Sequence, residues 1–181
     1  FEPGDDTTVC VLKAVKPKKV KLFTGPPTHK EDDAKVVHEL MNNADIRIVS
    51  GGTTSQIVAR ELGVEVKSST EIYDKEVPPI AYIQGVDLVT EGVLTLSKTI
   101  DRLKSLSKSL DSDIFKAKDG ASQMAKLLYS ASHIKLLVGR SLNIANAESS
   151  FQRDLELRLH VVGELEKILV KLGKIVTVEY Y

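Results

Sequence analysis

The chain has 181 residues, enough for one sizeable hydrophobic core or a domain plus an appendage. Apolar residues make up 42% and charged residues 28%, and 25 basic side chains cancel 25 acidic ones. A neutral chain lacks the electrostatic footprint of a general nucleic-acid or membrane-surface binder, and no apolar run approaches the ~18 residues of a membrane span.

Cys10 is the single cysteine, so an internal disulfide is excluded and a reducing, cytoplasmic setting is expected. Its sequence context reads as a small buried hydrophobe rather than a nucleophile. The first residue is Phe1 rather than methionine, which reads as a fragment cut from something longer. The four histidines, His29, His38, His133 and His160, form no metal-ligand spacing and read as structural.

Residues 1–16 do not look like the start of a domain. Phe1-Glu2-Pro3-Gly4-Asp5-Asp6 is a turn with adjacent carboxylates, and Thr7 to Val15 is a nearly continuous β-branched, apolar run. Such a run suits a strand covered on both faces. Gly4-Asp5-Asp6-x-Thr8 followed by this strand resembles the C-terminal end of the metal-dependent PPM-type serine/threonine protein phosphatases, most closely the bacterial sporulation stage II E branch. The resemblance implies that Asp5, at the mouth of the last core strand, is a ligand of one of two catalytic Mn²⁺ or Mg²⁺ ions. Hard divalent cations take carboxylate oxygens, and a metal pair activates water for phosphate hydrolysis. The other metal-binding carboxylates of that family lie upstream of this strand. One aspartate does not hold a two-metal site, so no cofactor and no phosphatase activity are expected of this chain alone. The apolar strand is expected to pair with the α/β domain or with a neighbouring chain.

Residues 17–19 read as a linker, and residues 20–181 as a second, α/β domain. Val20 to Phe23 is a short strand broken by Thr24-Gly25-Pro26-Pro27. Thr28-x-x-Glu31 is a capping-box pattern ahead of a helix through Leu40 and Met41. Ile46, Ile48 and Val49 form a buried strand, Gly51-Gly52 a sharp turn, and Ile57, Val58 and Leu62 the stripe of a helix that stops at Gly63. Thr53, Thr54 or Ser55 suits its cap. Val64-Glu65-Val66 is a short strand, residues 67–80 a polar loop or lid, and Ala81-Tyr82-Ile83 a further strand.

Val86 to Gly92 reads as the entrance to a long helix whose stripe runs Val93, Leu96, Ile100, Leu103, Leu106 and Leu110. Asp119-Gly120 opens another helix, Ile134 to Val138 is a second buried strand, and Phe151 to Leu172 is a last long helix closed by Gly173. Ile175 to Tyr180 is a final strand. Strands alternating with helices across short links predict an open, mostly parallel sheet with helices on both faces, a Rossmann-like three-layer arrangement preceded by one orphan strand.

In such sheets ligands bind beyond the carboxyl ends of the strands. The turns expected there carry Thr24 and Gly25; Gly51, Gly52, Thr53, Thr54 and Ser55; Asp87 and Glu91; and Arg140 and Asn143. Hydroxyls and unpaired helix N–H groups suit a phosphate or carboxylate, Arg140 adds a bidentate donor, and Asp87 and Glu91 suit ribose or sugar hydroxyls. Gly51-Gly52-Thr53-Thr54 also resembles the phosphate loop of the sugar-phosphate sensors attached to DeoR-type repressors, over the loop only. It is neither a nucleotide-kinase P-loop nor a dinucleotide fingerprint. The same residue types also build ordinary βα turns that bind nothing.

The resemblance and the rim together suggest an accessory domain of a bacterial phosphatase. Such a domain would sense a small anionic ligand or a partner protein and act on the catalytic domain in cis. Two alternatives stand beside it: a stand-alone module for phosphorylated metabolites, and a structural domain that forms a homodimer. No nucleic-acid or membrane partner is expected.

Overall fold

The computed structural model describes residues 8–12, 14–108, 113–141 and 148–181, with side-chain environments left aside for residues 148–152. Among these residues seven strands form one sheet: β1 (Lys19–Thr24), β2 (Ile46–Ser50), β3 (Lys67–Ser68), β4 (Ala81–Tyr82), β5 (Leu88–Thr90), β6 (His133–Val138) and β7 (Ile175–Tyr180). Five helices accompany them: α1 (Asp33–Met41), α2 (Gly52–Leu62), α3 (Val93–Leu106), α4 (Gly120–Ser130) and α5 (Glu148–Lys171).

The sheet runs β3-β4-β5-β2-β1-β6-β7. The five strands from β5 to β7 are parallel, whereas β4 is antiparallel to β5, and β3 to β4. From the central strand β1 the chain passes to β2, then to the far edge at β3, comes back inward through β4 to β5 beside β2, and crosses to β6 on the other side of β1. The direction of winding therefore reverses between β1 and β6.

The central strands are apolar on both faces because helices cover both. Val20, Leu22, Ile48, Ile134 and Leu136 face α3, α4 and α5, where they meet Leu96, Leu103, Met124, Leu128, Leu165 and Leu169. Phe23, Val49, Val89 and Leu137 face α1 and α2, against Val36, Val37, Leu40, Ile57 and Val58.

Beyond α1 that second face turns polar. The Lys135 ammonium lies 2.8 Å from Glu39 and 2.6 Å from Glu179, and Lys21 lies 2.7 Å from Glu39. The Lys135 ammonium, then Lys21, holds the Glu39 carboxyl below its ordinary range. A carboxyl with a depressed folded value contributes stability above its unfolded value of about 4.5 and loses it as the pH falls further. Urea unfolding at pH 7, 5 and 3.5 is therefore expected to show Glu39→Gln as destabilising at pH 7, with a shallower acid loss than the unmodified chain.

Several local expectations give way to tertiary context. Residues 8–12 and 14–16 form no strand and pair with no strand among the described residues. Val9, Val11, Leu12 and Val15 are 79, 85, 93 and 66% exposed, and Cys10 is exposed rather than buried. Thr28 and Glu31 form no capping box. A 3₁₀ turn at Lys30–Asp32 leads into α1, no side chain caps it, and Thr28 Oγ donates to the Tyr181 carbonyl instead. The strand expected at Val64–Val66 lies at Lys67–Ser68, pairing with β4.

The largest change is at residues 86–92. Leu88–Thr90 is the parallel strand β5, pulled into the sheet by β2, and α3 begins only at Val93. The loop over residues 69–80 is anchored to α3, with Arg102 donating to Asp74 at 3.1 Å, Lys98 paired with Glu76, and Val77 and Ile80 buried.

Candidate functional site

The carboxyl ends of β1, β2 and β5 open onto a cleft of about 380 Å³. Its floor is Thr24, Gly25, Ser50, Gly51 and Gly52; its walls are the first turn of α2, Glu91 to Val93 before α3, and Asp154, Leu157 and Arg158 of α5. A second cleft of about 210 Å³ adjoins it, shares Gly52 and Glu91, and runs under the β3–β4 edge past Gln56, Val66 and Pro79. The first volume lies within the roughly 300–1,000 Å³ range of small-molecule sites.

Local chemistry sets this rim. Gly51 has φ +121°, a conformation closed to side chains, and its N–H donates to the Thr90 carbonyl at 2.9 Å. Gly51 is the N-cap of α2, so no hydroxyl caps the helix as Thr53, Thr54 or Ser55 were expected to. Those hydroxyls hold the rim together instead. Thr54 Oγ accepts the Gly25 N–H at 2.9 Å, and Ser55 Oγ donates to the Gly51 carbonyl at 2.8 Å. Ser50 Oγ donates to the Glu91 carbonyl at 2.9 Å. Thr54 and Ser55 are buried, whereas Thr53 is exposed.

With its side chains so committed, α2 presents to the cleft the main-chain N–H groups of its first turn. These lie ahead of Ser55, whose N–H makes the first bond back, to Gly51. A Cβ built on Gly52 meets nothing within 4 Å, so the backbone there is open to close approach.

The cation at the cleft is Arg158, which the sequence reading did not single out. It leans over Gly25 and Gly139, and one guanidinium nitrogen donates to the Gly139 carbonyl at 3.2 Å. Burial pulls its pKa down, opposed by the Asp154 carboxylate one turn earlier. A guanidinium stays protonated under such a shift and keeps further donors for a ligand. Glu91 and Asp154 put two exposed carboxylates on the same cleft, giving it a cationic end and acidic walls.

Thr24, Gly25, Gly51, Gly52, Thr53, Thr54 and Glu91 are thus brought together, while Ser55 lines the adjoining cleft. Asp87 is not among them. It precedes β5 at the opposite end of the sheet, where its carboxylate accepts the Arg47 N–H at 2.7 Å. That misplacement follows from taking residues 86–92 as the turn from a strand at Ala81–Ile83 into a helix, when they hold the parallel strand β5 itself. Arg140 follows β6 at the rim, but its N–H donates to the Tyr181 carbonyl and its guanidinium sits 5.5 Å from the Tyr180 ring centre, turned from the cleft. Asn143 and Asp5 lie outside the described residues.

Arg158 was hidden because it falls within a long amphipathic helix. Only the return of α5 across the sheet brings it to the rim. A further opening of about 290 Å³, lined by Lys19, Lys21, His133 and Lys135, lies at the other end of the sheet. Its lysines are already engaged: Lys21 by Glu39, Lys135 by Glu39 and Glu179, and Lys19 by the Asn43 side chain. It is therefore the weaker candidate.

Among the described residues no group of three or more His, Cys, Asp or Glu side chains converges as a metal site, and no helix is long and apolar enough to cross a membrane. Comparison with protein-family models, with curated proteins and with solved structures gave no match.

Proposed function

We propose that residues 20–181 are a ligand-binding accessory domain that takes a small, hydroxyl-bearing anion of the phosphorylated-sugar class at the carboxyl rim of its sheet. The observation that carries this reading is the pairing of Arg158 with the uncapped first turn of α2 across one open cleft. Together they supply a guanidinium and main-chain donors to an anion. Glu91 and Asp154, on the same cleft, suit the hydroxyls of the rest of the ligand. An open rim with this polarity favours a ligand site over a purely structural domain.

We further propose that the parent protein is a bacterial, cytoplasmic PPM-type phosphatase, with residues 1–16 as the last strand of its catalytic domain. The Gly4-Asp5-Asp6-x-Thr8 pattern supports this. So does the exposure of Val9, Val11, Leu12 and Val15, which suits a segment built for a sheet elsewhere. Mn²⁺ or Mg²⁺ would belong to that catalytic domain, and the ligand state of the rim would be passed to it in cis.

The test is thermal shift and calorimetry with ribose 5-phosphate, glucose 6-phosphate and inorganic phosphate. The sugar phosphates are expected to stabilise the chain, and Arg158→Ala to weaken their binding by ~10-fold or more, as loss of a charge-assisted contact implies. No shift with any of the three, or an unchanged affinity in Arg158→Ala, would remove the anion site from the rim.

A further inference from the structure

Strand β7 ends the sheet, and among the described residues no strand lies beyond it. Its parity is fixed by two bonds: the Ile175 N–H donates to Ser132 and the Tyr181 N–H to Val138. Odd-numbered residues therefore turn their main-chain groups toward β6, and Val176, Val178 and Tyr180 turn theirs outward.

Soluble proteins blunt such edges with lysine, proline, a bulge or a covering element. Among the described residues β7 has none of these. Its six residues include no lysine or proline, and its register with β6 runs unbroken. Its one charge, Glu179, is neutralised by Lys135 at 2.6 Å. The margin is apolar, with Ile175 58%, Tyr180 49% and Val170 of α5 54% exposed. The opposite edge is the contrast: β3 has only two residues and begins with an exposed lysine.

We propose that β7 pairs with β7 of a second copy of this chain, antiparallel, about a two-fold axis through Val178 that joins the two sheets into one. The occupant has to be a strand edge, because what the margin offers is alternating main-chain donors and acceptors. In this register Val178 faces its own counterpart, and Val176 faces the partner's Tyr180, a β-branched residue against an aromatic. The outward groups of both copies meet in about six hydrogen bonds. Glu179 falls opposite the partner's Thr177, so no like charges meet. The contact is self-complementary and closes at two copies.

The other strand-like element is the exposed run of residues 8–15, whose described residues form no strand and leave the β7 edge uncovered.

Sedimentation of the full chain decides the matter. The unmodified chain is expected at twice its 19.9 kDa mass. Val178→Pro, which removes an outward N–H that no partner within the sheet uses, is expected to sediment as a monomer with an unchanged far-UV circular dichroism spectrum. If that variant loses its spectrum, Tyr180→Lys decides instead, because it leaves the main chain intact and sets a charge on the seam. A monomeric unmodified chain at high micromolar concentration overturns the proposal. So does a folded variant that remains dimeric, because the contact then lies elsewhere than at β7.

Discussion

Replacing Gly139 by alanine is expected to destabilise the chain by about 3 kcal/mol, at the upper end of overpacking costs, read as a lower urea midpoint at unchanged slope. A Cβ there would sit 2.1 Å from the Pro26 carbonyl oxygen and 2.2 Å from that of Gly25. Both obstacles are backbone, so no rotamer change relieves them. The loops after β1 and β6 touch at this point, where the Gly139 N–H also donates to Thr24 at 2.9 Å. Forcing them apart moves the carbonyl that anchors Arg158. The variant is therefore expected to lose sugar-phosphate binding as well as stability. Gly52→Ala is the control. Its Cβ meets nothing within 4 Å and its φ is not in the left-handed region, so stability is expected to hold within about 0.5 kcal/mol.

Phe23→Ala is expected to cost about 3–5 kcal/mol, the range for deleting a fully buried aromatic side chain. Phe23 has no exposed surface and is central to the core under α1 and α2. Its neighbours in register are Val49 on β2 and Leu137 on β6, both fully buried, so the sheet cannot easily collapse into the space left behind. Against a typical total stability of 5–15 kcal/mol, such a loss leaves a marginal domain. The urea midpoint measures it, and a loss under about 1 kcal/mol would mean that this core repacks.

Much of this fold was legible because its strongest signals are local. The runs Ile46 to Val49, Ile134 to Val138 and Ile175 to Tyr180 are strands as expected, and Asp119 caps α4 through the Ser122 N–H. Gly63 and Gly173 close α2 and α5 with φ +66° and +77°. The glycine turn at Gly51–Gly52 lies at the rim, where an open parallel sheet has its ligand crevice. Residues 86–92 were misread because a three-residue strand has too little length to show its period, and its strand state comes from pairing with β2. Asp87 followed that error to the wrong end of the sheet.

The sequence by itself determined the fold class and the turn at the centre of the rim, because apolar periodicity and glycine position are properties of neighbouring residues. Tertiary structure alone decided which side chains share the cleft. Arg158 is more than a hundred residues from Gly51, and meets it through the crossing of α5 over the sheet. The same long-range geometry turned Arg140 onto Tyr180 and tied Thr54 to the Gly25 N–H. It also left β7 as an edge, since the order of strands in a sheet is set by how helices pack on both faces and not by any short stretch of chain.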